Sequence, residues 1–441
     1  MRSGGLRLGL GVLAVGAVAW LTSGALRAAD PPAAAPPSQP VAAAEATPAA
    51  APLSPEAAKI EAGRYLAVAG NCTNCHSRAD GDPFSGGVEF KTDFGTIYST
   101  NITPDTTSGI GEWTEAQFVR AMREGVDDEG QHLYPAFPYT AFTRISDADL
   151  STLFAYLRSL PPSGYQAPEN GLSFPYNQRW LLGVWKWLFF DAARFQQQPA
   201  RGAQWNHGAY LVDGLGHCGA CHTPRNFLGA EKDDKYLAGG VYNDKIPGGE
   251  VRPWAAVNLT QADSGLKTWS VSDLTGYLHT GHGQRAGSFG PMNEVIGNSL
   301  RQLSAADVEA MAVYIKSLPA IETSDTQSLS AADHAEGETQ YTIHCGTCHL
   351  PTGLGSIPGT DLGPPLVGNP VVQAPSPATL INVILNTSEV LTPAPPASWK
   401  NMEGLGDKID DEQVAAIANY LRSSWGNRGG KVTAADVAKQ R

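Results

Sequence analysis

Positive charge is scarce in this sequence. Lys and Arg number 31 in 441 residues against 43 Asp and Glu, giving a formal net charge of −12, and charged residues make up only 17%. No Lys/Arg run gathers anywhere, and without clustered positive charge a chain has no footprint for nucleic acid. Long apolar runs are equally rare. The longest lies at the extreme N-terminus, which excludes a multi-span membrane protein. No G-x-G-x-x-G follows a strand pattern, so a nicotinamide or flavin site has no signature here. Methionine is sparse, at five residues, and cysteine at six.

Those six cysteines are not scattered. They fall in Cys72-Thr73-Asn74-Cys75-His76, Cys218-Gly219-Ala220-Cys221-His222 and Cys345-Gly346-Thr347-Cys348-His349. C-x-x-C-H is the attachment signal for a c-type haem. Two thiols at this spacing reach the two vinyl groups of one porphyrin, and the following His supplies the proximal iron ligand. Structural zinc would combine the pairs two by two and leave one over. A thioredoxin-like motif does not call for the His, and structural disulfides do not repeat in this pattern. Three covalently bound haem c groups are therefore expected, on Cys72 and Cys75, Cys218 and Cys221, and Cys345 and Cys348, with His76, His222 and His349 on the iron.

Haem is attached to such motifs outside the cytoplasm, and the N-terminus fits export. Arg2 and Arg7 precede an apolar stretch over 8–21, then Ser23-Gly24-Ala25, a small-residue cleavage site. The alternative is an uncleaved anchor, since 8–26 is uncharged and nearly long enough to span. Residues 1–29 read as a signal peptide and 30–54 as a Pro/Ala-rich tether.

The rest repeats. Gly63-Arg64-Tyr65-Leu66, Gly208-Ala209-Tyr210-Leu211 and the segment from Gly337 precede the three motifs. Each unit ends in a matching helix: Tyr156-Leu157-Arg158-Ser159-Leu160, Tyr314-Ile315-Lys316-Ser317-Leu318 and Tyr420-Leu421-Arg422-Ser423. N-cap residues Ser146, Ser304 and Asp410 open these helices, with Gln413 completing a capping pattern. Apolar positions recur at three and four, as in Leu150, Phe154 and Leu157. The pattern predicts an all-α chain of three tandem class I cytochrome c domains, at 55–165, 201–320 and 335–428. An aromatic connector fills 166–200, a polar linker 321–334 and a polar tail 429–441.

Further phrases carry a resemblance: Tyr98-Ser99-Thr100-Asn101-Ile102-Thr103-Pro104, Leu133-Tyr134-Pro135-Ala136, Gly290-Pro291-Met292 and Ser424-Trp425-Gly426-Asn427. From about residue 58 to 428 the chain resembles the three-haem cytochrome c subunit of bacterial membrane-bound alcohol, gluconate, fructose and aldehyde dehydrogenase complexes. The resemblance implies an electron-transfer subunit at the periplasmic face of the inner membrane. Its partners would be a large catalytic subunit (quinoprotein, flavoprotein or molybdoprotein), a small third subunit and ubiquinone. It also implies Met292 and Met402 as sixth ligands of the second and third irons, the soft thioether favouring Fe(II). The first unit departs from the pattern: Phe137 stands where the family has Met, and Phe cannot coordinate iron. His132 on the same loop, an open iron, or Met122 brought round by a rearranged loop are the alternatives. Met311 and Met122 otherwise read as core. An open first haem leaves a second function in play, a peroxidase-like enzyme or ligand sensor.

Residues 174–190 hold Phe174, Tyr176, Trp180, Trp185, Trp187, Phe189 and Phe190, with Arg179 and Lys186 on one narrow face of a helix. The run is too short to span and reads as a monotopic anchor at a membrane surface, or as a face packed on the catalytic subunit.

Overall fold

A computed structural model describes residues 53–247, 249–323, 329–356, 360, 362–393 and 399–441. The expected signal peptide and all but the end of the tether lie outside the described residues, as does part of the 321–334 linker.

The three units share one scaffold, a first helix crossed by a last one. In the first unit these are α1 (Pro55–Ala69), followed by α2 (Glu115–Glu124) and α3 (Asp147–Ser159). The connector contributes α4 (Leu181–Phe189). The second unit has α5 (Ala203–Tyr210), α6 (Val271–Thr280), α7 (Pro291–Asn298) and α8 (Ala305–Lys316). The third has α9 (Ala331–His344), α10 (Ala378–Leu385) and α11 (Asp411–Ser423).

Each crossing is set by a glycine. A Cβ on Gly63 would lie 2.6 Å from Tyr156 Cβ, and one on Gly337 would lie 2.6 Å from the Ala416 carbonyl oxygen. On Gly208 it would fall inside the Ala310 carbonyl. The repeated glycine is thus a contact point between helix backbones, where any side chain forces the pair apart. The caps are as expected: Ser146 and Ser304 accept from Asp149 N and Asp307 N, and Asp410 and Gln413 form a reciprocal capping box. The cation near the end of each last helix also has a common task. Arg158 donates to the Ile110 and Gly111 carbonyls, Lys316 to Leu266 O, and Arg422 to Val372 O and Ala374 O, both at 2.9 Å.

An all-α description needs correcting at two places. In the first unit β1 (Glu89–Thr92), β2 (Gly95–Tyr98) and β3 (Gly171–Leu172) form an antiparallel sheet in that order, with Phe90 opposite Ile97. In the second, β4 (Gly240–Lys245) and β5 (Val251–Ala256) pair antiparallel with Tyr242 opposite Trp254. The first three strands have two to four residues, too few to register as a period-two pattern, and the six-residue β4 and β5 do not alternate apolar with polar residue types. Both hairpins sit ahead of the Asn-x-Thr segments and deliver them to the site.

From Leu53 onward the described residues form one compact unit. The first two units do not keep separate cores. One cluster runs from Ala67, Phe118 and Leu153 through Leu211, Leu274 and Ile315, whereas the third unit has its own, built on Tyr341, Ile381, Ile417 and Leu421. The first two also exchange contacts reciprocally. The Tyr65 hydroxyl bonds Asp307 and accepts from Ser304 N at 2.9 Å. The Tyr210 hydroxyl bonds Asp149 and accepts from Ser146 N at 2.9 Å. Each tyrosine thus seals the start of the other unit's last helix, the arrangement of a two-fold interface.

Candidate functional site

Each C-x-x-C-H motif ends in a one-turn helix, Cys72–His76, Gly219–His222 and Gly346–His349. The following His behaves identically in all three. His76 Nδ1 lies 2.7 Å from Thr100 O, His222 Nδ1 2.7 Å from Val257 O, and His349 Nδ1 2.8 Å from Pro364 O. A carbonyl can only accept, so Nδ1 carries the proton and the Nε2 lone pair is left for a metal. Burial lowers the pKa of all three rings, outweighing the carbonyl that raises it, and so favours the neutral, ligating form.

The carbonyls are held in turn. Asn101 Oδ1 accepts from Thr103 N at 2.9 Å, and its Nδ2 donates to Ser163 O at 2.6 Å. Asn258 repeats this with Thr260 N at 2.9 Å and Ile321 O at 2.8 Å. The shared Asn-x-Thr segments are therefore turns that tie the carbonyl just before them to the chain leaving the last helix. The third unit reaches the same end with Pro364 and a Leu366 carbonyl held by Asn427 Nδ2 at 3.0 Å.

The cysteines complete each donor set. Burial pushes the Cys72, Cys75, Cys218 and Cys345 thiols up to about 12 and Cys221 up to about 11, so they stay protonated at neutral pH. Among the described residues no three His, Cys, Asp or Glu side chains gather closely enough to hold a metal ion between them. Haem fits these residues, and one orphaned donor agrees. Trp254 Nε1 is buried without a protein partner, and its ring lies against Gly290, two residues before Met292. A buried N–H in that position suits an acceptor the protein does not supply, such as a propionate.

The two distal loops can be aligned through hydrogen bonds. α2 and α6 end in left-handed Gly125 and Gly281. Leu133 N donates to Gly125 O and Ser288 N to Gly281 O, both at 2.7 Å. Counting on equally from Leu133 and Ser288 brings Phe137 into register with Met292. Met402 is clamped differently: its N–H donates to Ser388 Oγ at 2.6 Å and its carbonyl accepts from Thr387 Oγ1 at 2.7 Å. Met311 and Met122 are buried core residues. His132 faces the connector, with Nδ1 3.1 Å from Lys186 Nζ and Nε2 against Gly183.

The motifs of the first two units adjoin. His217 Nε2 lies 3.3 Å from Gly70 O, and Asn298 bonds Asn74. The reach of His217 into the first unit carries no sequence signal, because it depends on how the two units pack.

A second candidate surface is the connector. Only Leu181–Phe189 is helical; the stretch from Phe174 to Trp180 is turns. Both cations turn inward: Arg179 pairs with Asp127 at 3.0 Å, and Lys186 donates to Glu124 O and Gly125 O at 2.6 and 2.7 Å. Burial lowers the Lys186 pKa to about 8. The apolar side faces out, with Phe174 79%, Trp180 67% and Trp187 81% exposed. Phe227, 87% exposed, joins the patch from the second unit, because Trp185 Nε1 donates to the neighbouring Leu228 O at 2.9 Å. No helix among the described residues is long and apolar enough to cross a membrane.

A buried, neutral His presented beside paired thiols on a helix-crossing scaffold defines a c-type cytochrome, and the cytochrome c family model matches residues 60–161 and 334–425. Similarity then extends over most of the chain. It is 37% identical to the cytochrome c subunit of a quinone alcohol dehydrogenase of Gluconacetobacter polyoxogenes, covering 88% of this chain and 85% of that one. It is 38% identical to the gluconate 2-dehydrogenase cytochrome c subunit of Pantoea cypripedii, covering 87% and 90%. With a nicotinate dehydrogenase subunit of Pseudomonas putida the identity is 42% over 84% of this chain, which spans only 31% of that protein. The chain belongs to the family of dehydrogenase cytochrome c subunits.

Proposed function

We propose that this chain is an electron-transfer subunit with three covalent haem c groups, arranged as three cytochrome c domains. In this reading it takes electrons from a catalytic dehydrogenase subunit and passes them to ubiquinone at the periplasmic face of the inner membrane. Haem, when bound, supplies reversible one-electron chemistry at iron. The chain's residues do the rest. Cys72, Cys75, Cys218, Cys221, Cys345 and Cys348 anchor the three groups, and His76, His222 and His349 present Nε2 to the metal. Thr100, Val257 and Pro364 hold those rings through Nδ1, and Met292 and Met402 serve the second and third distal sides. The observation that carries the reading is the threefold Nδ1-to-carbonyl bond, because it prepares a ligand the protein itself does not use. Intact mass and haemochrome absorbance of the chain matured in a haem-attaching periplasm test it. Three haems per chain are expected, falling to two in Cys218→Ser/Cys221→Ser. Two in the unaltered chain would end the three-haem reading.

The exposed aromatic face supports docking at a membrane surface. Its cations are engaged by the protein, so apolar contact rather than charge would hold it there. Flotation with neutral phosphatidylcholine vesicles should therefore persist at high salt and fall at least fivefold in Trp180→Ser/Trp187→Ser. Binding that salt abolishes would instead mean an electrostatic contact.

A further inference from the structure

The backbone register that sets Phe137 opposite Met292 has a consequence for the first unit's distal side. The loop closes as its counterpart does, on Leu133 N to Gly125 O at 2.7 Å, and the count from that bond sets Phe137 at the place of Met292, just ahead of the short helix Tyr139–Phe142. Phe137 packs there edge-on against Phe142, with ring centroids 5.5 Å apart.

Neither substitute is available. Met122 lies three residues before Gly125, as Leu278 lies three before Gly281. Leu278 is a buried core residue in the very unit that has its methionine, and Met122 fills the same niche beside Phe118. Leaving it would open a cavity. His132 is committed to the connector. A lysine ammonium only donates, so the 3.1 Å contact from Lys186 Nζ makes His132 Nδ1 the acceptor and puts the ring proton on Nε2, which abuts Gly183. Arg179 Nε also holds the His132 carbonyl at 2.8 Å, fixing the backbone as well as the ring.

We infer that the first haem has no side-chain ligand on its distal face and that this place is a binding site for a small uncharged diatomic such as carbon monoxide. The inference rests on the haem reading above. Phe137 and Phe142 make the lining aromatic, and His217, whose ring packs edge-on against Phe142, turns its Nε2 to the Gly70 carbonyl at 3.3 Å, so an uncharged ligand enters without the desolvation cost an anion would meet. Phe137 also keeps the site small.

The test uses the full chain with all haems attached, fully reduced, titrated with carbon monoxide. The haem count is taken first, by mass, so a failure of the three-haem reading is seen separately. One haem in three should shift its Soret band, and Phe137→Met should weaken that binding at least tenfold and raise the lowest of the reduction potentials. On the oxidised chain, azide at the same concentration should shift nothing. No carbon monoxide spectrum in the unaltered chain would overturn the inference. If binding then appeared in His132→Ala or in Met122→Leu, that residue would be the ligand. Equal binding by Phe137→Met and the unaltered chain would also overturn it, and azide binding as tight as carbon monoxide would overturn the uncharged class.

Discussion

The first two units and the third solve one problem with different amounts of help. The first two share a hydrophobic cluster and seal each other's last helices through Tyr65 and Tyr210, whereas the third closes a core of its own around Tyr341 and Ile417. The third meets the second through polar bonds: Ala255 N to Thr379 Oγ1 at 2.7 Å, Asn382 Nδ2 to Pro253 O at 3.0 Å and Trp399 Nε1 to Gly283 O at 2.8 Å. A unit that borrows a neighbour's surface depends on it for stability. One with its own apolar core needs its neighbour only for polar groups at the seam, and inside that core Arg422 ties the surrounding chain together.

That contrast can be broken from the third unit first. Arg422 is 1% exposed and donates to the carbonyls of Val372, Ala374 and Gly430. Burial lowers its pKa to about 10, well above neutral, so it stays charged. Arg422→Met removes the donor from the Val372 and Ala374 carbonyls at a cost of about 3 kcal/mol. Calorimetry should show an early transition for the third unit and an unchanged later one for the pair. A single transition shifted as a whole would mean the three units unfold together.

A smaller effect is expected at the junction of the pair. Tyr65→Phe and Tyr210→Phe each remove a hydroxyl that touches both a carboxylate and a cap N–H, a loss of about 1 kcal/mol given partial exposure. The double variant should lower the pair's transition and leave the third unit's in place. If both transitions move equally, the reciprocal contact is not specific to the pair.

The smallest effect is a pH dependence within the second unit. Asp213 accepts from Tyr236 Oη at 2.7 Å and Tyr314 Oη at 2.8 Å, and burial raises its pKa above the ordinary 3.8, outweighing those donors. A carboxyl whose folded pKa is raised contributes most below the unfolded value, and the contribution is lost as pH rises through the folded one. Asp213→Asn stays neutral throughout. Its melting temperature relative to the unaltered chain should therefore climb by a few degrees as pH is raised from about 4. A constant difference would mean that Asp213 does not titrate over that rise.

Much of the site was legible because covalent chemistry is local. Cys72, Cys75 and His76 are read from adjacent positions, as are their two repeats, since the spacing itself is what a porphyrin needs. The caps at Ser146, Ser304 and Asp410 were legible for the same reason: a cap bonds three residues ahead. The strands escaped because they are only two to six residues long. The connector was read as an aromatic helix with Arg179 and Lys186 on one narrow polar face, but only Leu181–Phe189 is helical, and the two cations meet Asp127, Glu124 and Gly125. Helical periodicity shows which residues share a face, not what that face meets. Phe227 carried no signal, because only the fold brings it beside Trp185.

The sequence by itself determined the haem-attachment motif and its threefold repetition, because both are written in residue type and spacing, whereas the departure at Phe137 shows only against the family it resembles. Only the tertiary structure decided that the first two units share a core and that Thr100, Val257 and Pro364 orient the histidines. It alone turned His132 to Lys186, because these contacts join residues from 15 to 242 positions apart and depend on how the chain packs.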